Sequence, residues 1–136
     1  VIVLTIIKII RQYLKQKFKE QTHIKDINSK IIIKSLKVHH GSIKSICYII
    51  NDKCAYAPDV NFIESKDLRY LKNLKYFIVD CLRYNFHPTH FNLDDVLKLI
   101  RKLKPKKAIL TNLSNEIDYN EIKKKLPKNV IPAQMD

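Results

Sequence analysis

Polar residues that could do chemistry cluster at four places along this 136-residue chain, three of them carrying imidazoles or carboxylates, each at or near the end of an apolar run. They are His39-His40-Gly41, Asp59 within Ala57-Pro58-Asp59-Val60, Asp80 with the following His87-Pro88-Thr89-His90, and Thr111-Asn112-Leu113-Ser114-Asn115. Such groups gathered from several strand ends suit a divalent metal, because a neutral imidazole supplies one nitrogen and an aspartate can bridge two ions. Spacing by itself does not select this chemistry. The chain has no His-x-His pair, and a single histidine is more often a surface or hydrogen-bonded residue than a ligand.

The elements that must position these residues follow from apolar periodicity. Ile31–Val38 is β-branched and apolar and predicts a strand that ends at His39, His40 and Gly41. Ser45–Ile50 and Lys53–Ala57 predict a hairpin across Asn51-Asp52, and Pro58, which has no N–H, stops it. A short helix around Ser65–Leu71 leads to a strand, Tyr76–Asp80, and then to a loop, Cys81–Phe91. Asn92 is a good N-cap for a helix with Asp94 and Asp95 in its first turn and Leu93, Val96, Leu97, Ile100 and Leu103 as its buried stripe. Pro105 ends that helix, Lys107–Leu110 predicts a strand, Asp118 with Glu121 forms a capping box for a helix to Leu126, and Val130-Ile131 predicts a terminal strand. Near the start, Ile2, Ile6, Ile9, Ile10, Tyr13, Leu14 and Phe18 share one helical face. A hairpin combined with strand–helix alternation makes the class α/β with a mixed sheet and flanking helices, in a single domain.

The local wording adds a resemblance. His40-Gly41-Ser42, then a hairpin, then Tyr56-Ala57-Pro58-Asp59-Val60, is similar to the middle motifs of metallo-β-lactamase-fold phosphodiesterases of the kind found in phosphonate metabolism. Val79-Asp80-Cys81-Leu82-Arg83, His87-Pro88-Thr89-His90, the stretch Leu103 to Thr111 and Ile117-Asp118-Tyr119 resemble that family's C-terminal segment, in the same order. The resemblance runs from about Ile6 to the end. It implies the C-terminal half of an αββα sandwich. It further implies that His40 is a ligand of the first metal, that Asp59 bridges two metals, and that His90 sits over the site to move a proton or hold the substrate phosphate. The implied cofactors are two divalent ions, zinc or manganese. His39 has no role in the family, and His87 is implied to shape the loop beside Pro88.

Two departures set the functional expectation. The family signature His-x-His-x-Asp-His occurs nowhere in the chain, and where the family has Leu-Thr-His this sequence reads Leu110-Thr111-Asn112, with Asn115 replacing the following His. Two-metal catalysis places ions about 3.5–4 Å apart, and two matched ligands leave most of each ion's dehydration uncompensated. The expectation is a degenerate or truncated phosphodiesterase-like fragment over residues 1–136, inactive alone, with weak or absent metal. A start at Val1 rather than Met points the same way. The alternatives are an enzyme half completed in trans by a separate N-terminal half, or a basic nucleic-acid-binding module. A bare apolar sheet face is expected, to be covered by such a half-chain or by a homo-oligomer.

Composition narrows the partners. The formal net charge is +13, but it comes from 22 Lys and only 4 Arg. Scattered lysines make a solvated face more readily than a phosphate-reading surface, which favours clustered Arg forks, so nucleic acid is not the expected partner. The apolar opening, Val1 to Ile10, includes Lys8 and is shorter than the roughly 20 residues of a membrane span, and no membrane contact is expected. Cys47, Cys54 and Cys81 form no Cys-x-x-Cys pair. Cys47 and Cys81, in apolar strand-like runs, predict small buried hydrophobes, and the set as a whole predicts a reducing cytoplasm.

Overall fold

A computed structural model describes residues 31–133, the backbone of His23–Lys25, and Lys8, which is helical. The rest of the expected helix Ile6–Phe18 lies outside the described residues. One seven-stranded sheet runs in the order β1 (His23–Lys25), β2 (Ile32–His40), β3 (Ile43–Ile50), β4 (Cys54–Ala57), β5 (Tyr76–Asp80), β6 (Lys107–Thr111) and β7 (Val130–Pro132). The first four strands pair antiparallel and β4 to β7 pair parallel, so the sheet is mixed, as the alternation predicts.

The turns explain the pairing. Asn51 and Asp52 both adopt positive φ, 51° and 52°, in a three-residue connection closed by a 3.0 Å bond from the Lys53 N–H to the Ile50 carbonyl, and the left-handed backbone there suits a hairpin turn. Asn51 also accepts a 2.7 Å hydrogen bond from the Ile32 N–H, tying the β3–β4 turn to the start of β2. β2 continues beyond Val38 because His39 and His40 pair with Lys44 and Ile43 across a second tight turn at Gly41 and Ser42. That pairing lies in a polar stretch where no apolar pattern signals a strand.

Connections between the parallel strands carry the helices: a 3-10 helix, Ser65–Leu71, before β5, α1 (Leu93–Leu103) before β6, and α2 (Tyr119–Lys125) before β7. Asn92 caps α1 by accepting from the Asp95 N–H at 2.9 Å, and Asp118 caps α2 by accepting from the Glu121 N–H at 2.9 Å. The main core joins Val38, Cys47, Ala55, Phe77, Val79 and Leu110 of the sheet to Leu71, Val96, Ile100, Leu103 and Ile122 of the helices. On the opposite face, Ile33 and Tyr48 form one cluster and Cys54, Ile78 and Ile109 another, and no helix of the described residues joins either. At the middle of this face Ile78 is 0% and Ile109 2% exposed, and Ile50, Tyr56, Tyr76, Ile131 and Ala133 are packed against their cluster.

Candidate metal centre

The four chemically marked spots all fall at one end of the sheet, where β2 turns back and β4, β5 and β6 finish. His40 is the last residue of β2, Asp59 follows β4 by two positions, Asp80 ends β5, and Asn112 directly follows β6. Parallel strands make this convergence automatic, since side chains just beyond their C-terminal ends face a common crevice.

Three of these side chains come together. One ligand atom from each of His40, Asp59 and His90 lies within 4.8 Å of the other two. The His40 and His90 rings are 4.6 Å apart between centroids at an interplanar angle of 71°. Asp59 is exposed, while His40 and His90 are half-buried.

The surrounding hydrogen bonds hold this end of the molecule in shape. His40 Nδ1 bonds to the Thr89 carbonyl at 2.8 Å. His90 Nδ1 bonds to Asp80 Oδ2 at 2.5 Å. Asp80 is fully buried, and its carboxylate also accepts from the Val60 N–H at 3.1 Å and from Asn112 Nδ2 at 3.1 Å. Burial pushes the Asp80 carboxyl above the ordinary range, and hydrogen bonds from His90, the Val60 N–H and Asn112 pull against it. Asn61 joins two loops, accepting from the Gly41 N–H at 2.9 Å and donating to the Pro88 carbonyl at 3.0 Å. Backbone bonds from Phe91 N to Val60 O and from Leu82 N to Phe91 O fasten the His87–His90 loop between β4 and β5.

The other marked residues have different surroundings. Strand alternation points His39 to the opposite face from His40, where it meets Glu64 at 2.7 Å and stacks edge-on with Phe62. That contact, chiefly the hydrogen bond from His39, holds the Glu64 carboxyl below its ordinary value. His87 Nδ1 accepts from the Thr89 N–H at 3.3 Å, within its own loop. Partial desolvation and the nearby positive groups, Arg83 first, lower the His87 pKa. Asn112, at the place where the resemblance implies a metal ligand, adopts φ 62° and turns its amide toward Asp80.

Sequence reasoning marked Asp80 as a strand-end carboxylate without giving it a task, and it passed over Asn61. A local signal existed for the first, namely an acid closing an apolar strand. For Asn61 there was none, because its partners lie 20 and 27 residues away.

The donor set, two imidazoles and one carboxylate, fits one divalent ion. It does not fit two, since a dinuclear site needs more ligands than the described residues bring together.

Residues 9–111 match the family model described as Beta-lactamase superfamily domain. Comparison with curated proteins gives no match. Among solved structures, the chain is similar to a diphosphatase from the PhnP family, at 25% identity and a TM-score of 0.80, over 95% of this chain and 51% of that one. It is similar to the metallo-β-lactamase fold protein YhfI from Bacillus subtilis, at 16% identity and a TM-score of 0.70, over 92% of this chain and 58% of that one. The short form of human tRNase Z is 12% identical with a TM-score of 0.62, over 82% of this chain and 42% of that one. The last two likenesses show the fold alone. The chain spans about half the length of these solved relatives.

Proposed function

We propose that this chain, which belongs to the Beta-lactamase superfamily domain family, supplies the C-terminal, metal-bearing part of a phosphate-ester hydrolase and does not hydrolyse such esters alone. The observation that supports this reading is the meeting of His40, Asp59 and His90 at one end of the sheet, beside an Asn112 committed to Asp80 instead of to an ion. The similarity to a PhnP-family diphosphatase over 95% of this chain favours phosphate as the substrate class.

Two-ion hydrolysis needs a full set of ligands around both ions, and the three side chains that converge here are too few. The missing ligands are then supplied from outside this sequence, by a chain or segment carrying His-x-His-x-Asp-His. Three buried, unpaired cysteines favour a reducing compartment such as the cytoplasm. Among the described residues no helix is long and apolar enough to cross a membrane.

The test is hydrolysis of bis(4-nitrophenyl) phosphate by the purified chain with manganese or zinc. No turnover above the metal blank is expected. Turnover should appear when the chain is co-expressed with a segment bearing the signature, and should vanish with Asp59→Ala. Turnover by the chain alone that Asp59→Ala abolishes would overturn the claim that it is inactive by itself.

A further inference from the structure

We infer that the turn from Arg83 to His87, after β5, binds the phosphate ester of an aromatic group, with Arg83 and His87 holding the phosphate and Phe86, beside Tyr84, stacking on the aromatic ring. The inference rests on the phosphate-ester reading above and names the part of the substrate that this turn recognises.

The guanidinium lacks an anion. Arg83 is half-buried, its Nη2 donates to the Phe86 carbonyl at 2.8 Å, and its Nε is buried without a hydrogen-bond partner. It enters no ion pair among the described residues. A dry N–H without an acceptor is costly, and an arginine withdrawn from water is ordinarily paired. Of the charges that act on His87, that of Arg83 weighs most, and the others are those of His90 and His40. All three are positive. The carboxylates at this end of the sheet are placed elsewhere, Asp80 against His90, the Val60 N–H and Asn112, and Asp59 with His40 and His90. Phosphate oxygens are the acceptors that such a corner is missing, and the planar arginine fork suits them better than a lysine ammonium does. The chain holds 22 Lys but only 4 Arg, so this one is not part of its general basic background.

His87 adds a neutral donor beside it. Its Nδ1 accepts from the Thr89 N–H at 3.3 Å, and a backbone N–H can only donate, so the ring proton sits on Nε2. The His87 and His90 rings are 5.1 Å apart between centroids. A phosphate held by Arg83 and His87 therefore lies next to the candidate metal centre without using any of its three candidate ligands.

The aromatic part follows from exposure. Phe86 is 72% exposed, more than any other large apolar side chain of the described residues, and Tyr84, in the same turn, is 38% exposed. The Arg83 bond to the Phe86 carbonyl ties the backbone that carries the ring to the cation. A ring presented to solvent next to a phosphate-holding cation offers a stacking face to a ring joined to that phosphate.

The experiment titrates the full isotope-labelled chain, in EDTA to keep metal out, with phenyl phosphate, adenosine monophosphate and methyl phosphate, following amide shifts by NMR. Shifts should centre on residues 83–90, and phenyl phosphate should bind about 2–10-fold more tightly than methyl phosphate, the worth of one aromatic pair. Adenosine monophosphate bound more tightly than phenyl phosphate identifies the aromatic group as a nucleoside, and the reverse identifies it as an aryl. Phe86→Ala keeps the carbonyl that Arg83 holds, so it should abolish the preference for phenyl over methyl phosphate and leave methyl phosphate binding unchanged. Arg83→Gln should weaken all three ligands by about 10-fold or more, and His87→Gln, which retains an N–H donor, should bind better than His87→Ala. Equal affinity for phenyl and methyl phosphate in the wild type, or a preference that survives Phe86→Ala, overturns the inference. Shifts centred on Lys53, Lys75 and Lys107 overturn it as well. No binding in EDTA also overturns it, and phosphate binding that then appears on adding zinc leaves the metal-bearing reading standing. Binding in EDTA by a chain that takes up no zinc keeps the aromatic phosphate site and removes the metal-bearing reading instead.

Discussion

Gly41 is the only glycine in the chain, and its surroundings show why a side chain does not fit there. Its φ is +63°, and a Cβ would lie 2.7 Å from Thr89 Cγ2. The β2–β3 turn thus presses directly on the loop that carries His90. Gly41→Ala should cost about 1–2 kcal/mol for the left-handed backbone and more for the contact, and adding Thr89→Ser should recover only the contact part. Urea unfolding of the two variants separates these contributions, and an unchanged midpoint in Gly41→Ala would refute the close approach. The thiols make a second residue-scale case. Burial pushes Cys47 up to about 12, Cys54 up to about 11 and Cys81 up to about 12. Native protein should therefore resist a thiol reagent at pH 8 while unfolded protein reacts at all three positions. Thiols raised in the folded state contribute stability that is complete below the unfolded value of about 8.5. That stability is lost as pH rises toward 11–12, so the midpoint in urea should fall across that interval and recover in a Cys47→Ala, Cys81→Ala background. Single residues were legible only where chemistry marks them. His40, Asp59 and His90 announce themselves by type and by their place at strand ends, whereas the partners of Asp80 come from three loops distant in sequence.

At the scale of elements, legibility followed the strength of the local pattern. Tyr76–Asp80 and Leu93–Leu103 have the bounds that an apolar run and an Asn cap predict. β1 was not anticipated, since three residues containing His23 and Lys25 have no alternation to reveal them and depend on pairing with β2. The stretch Ser65–Leu71 winds as a 3-10 helix, a distinction that its two buried leucines do not encode. The caps give a testable contrast. Asn92 is 8% exposed, and its amide both accepts from the Asp95 N–H and donates to the Asp95 carboxylate. Asp118 is exposed. Asn92→Ala should cost about 1–2 kcal/mol and Asp118→Ala about 0.5 kcal/mol, the two ends of the range for lost N-caps, as read from urea midpoints. Because the Asn92 backbone also pairs with Arg83 across the His90 loop, loosening the first turn of α1 by loss of the cap should speed amide hydrogen exchange at Leu82 and Phe91. Asp118→Ala should leave those amides unchanged.

For the molecule as a whole, charge and chemistry lie at opposite ends of the sheet. The metal-ligand candidates sit where the parallel strands finish, and Lys53, Lys75 and Lys107 sit where β4, β5 and β6 begin, joined by backbone bonds from Lys75 N to Lys53 O and from Lys107 N to Lys75 O. Lys72, Lys104 and Lys106 are exposed nearby in the adjoining turns, and none of these six forms an ion pair among the described residues. With a net charge of +13, self-repulsion opposes the compact state and is screened by salt over a length of about 10 Å at 0.1 M. The thermal midpoint should therefore rise between 20 mM and 500 mM sodium chloride. The same edge should hold duplex DNA weakly at low salt and release it steeply, with a logarithmic slope close to the number of phosphates neutralised, because lysine ammoniums attract phosphate without the two-pronged fit of arginine. Adding a chelator should not alter that binding, since the two ends are separated by the length of the strands. Binding that persists at 200 mM salt would identify this edge as a nucleic-acid surface in its own right. Binding that fades with salt would mark this edge as a solvated basic face and leave the end that holds His40, Asp59 and His90 as the candidate site.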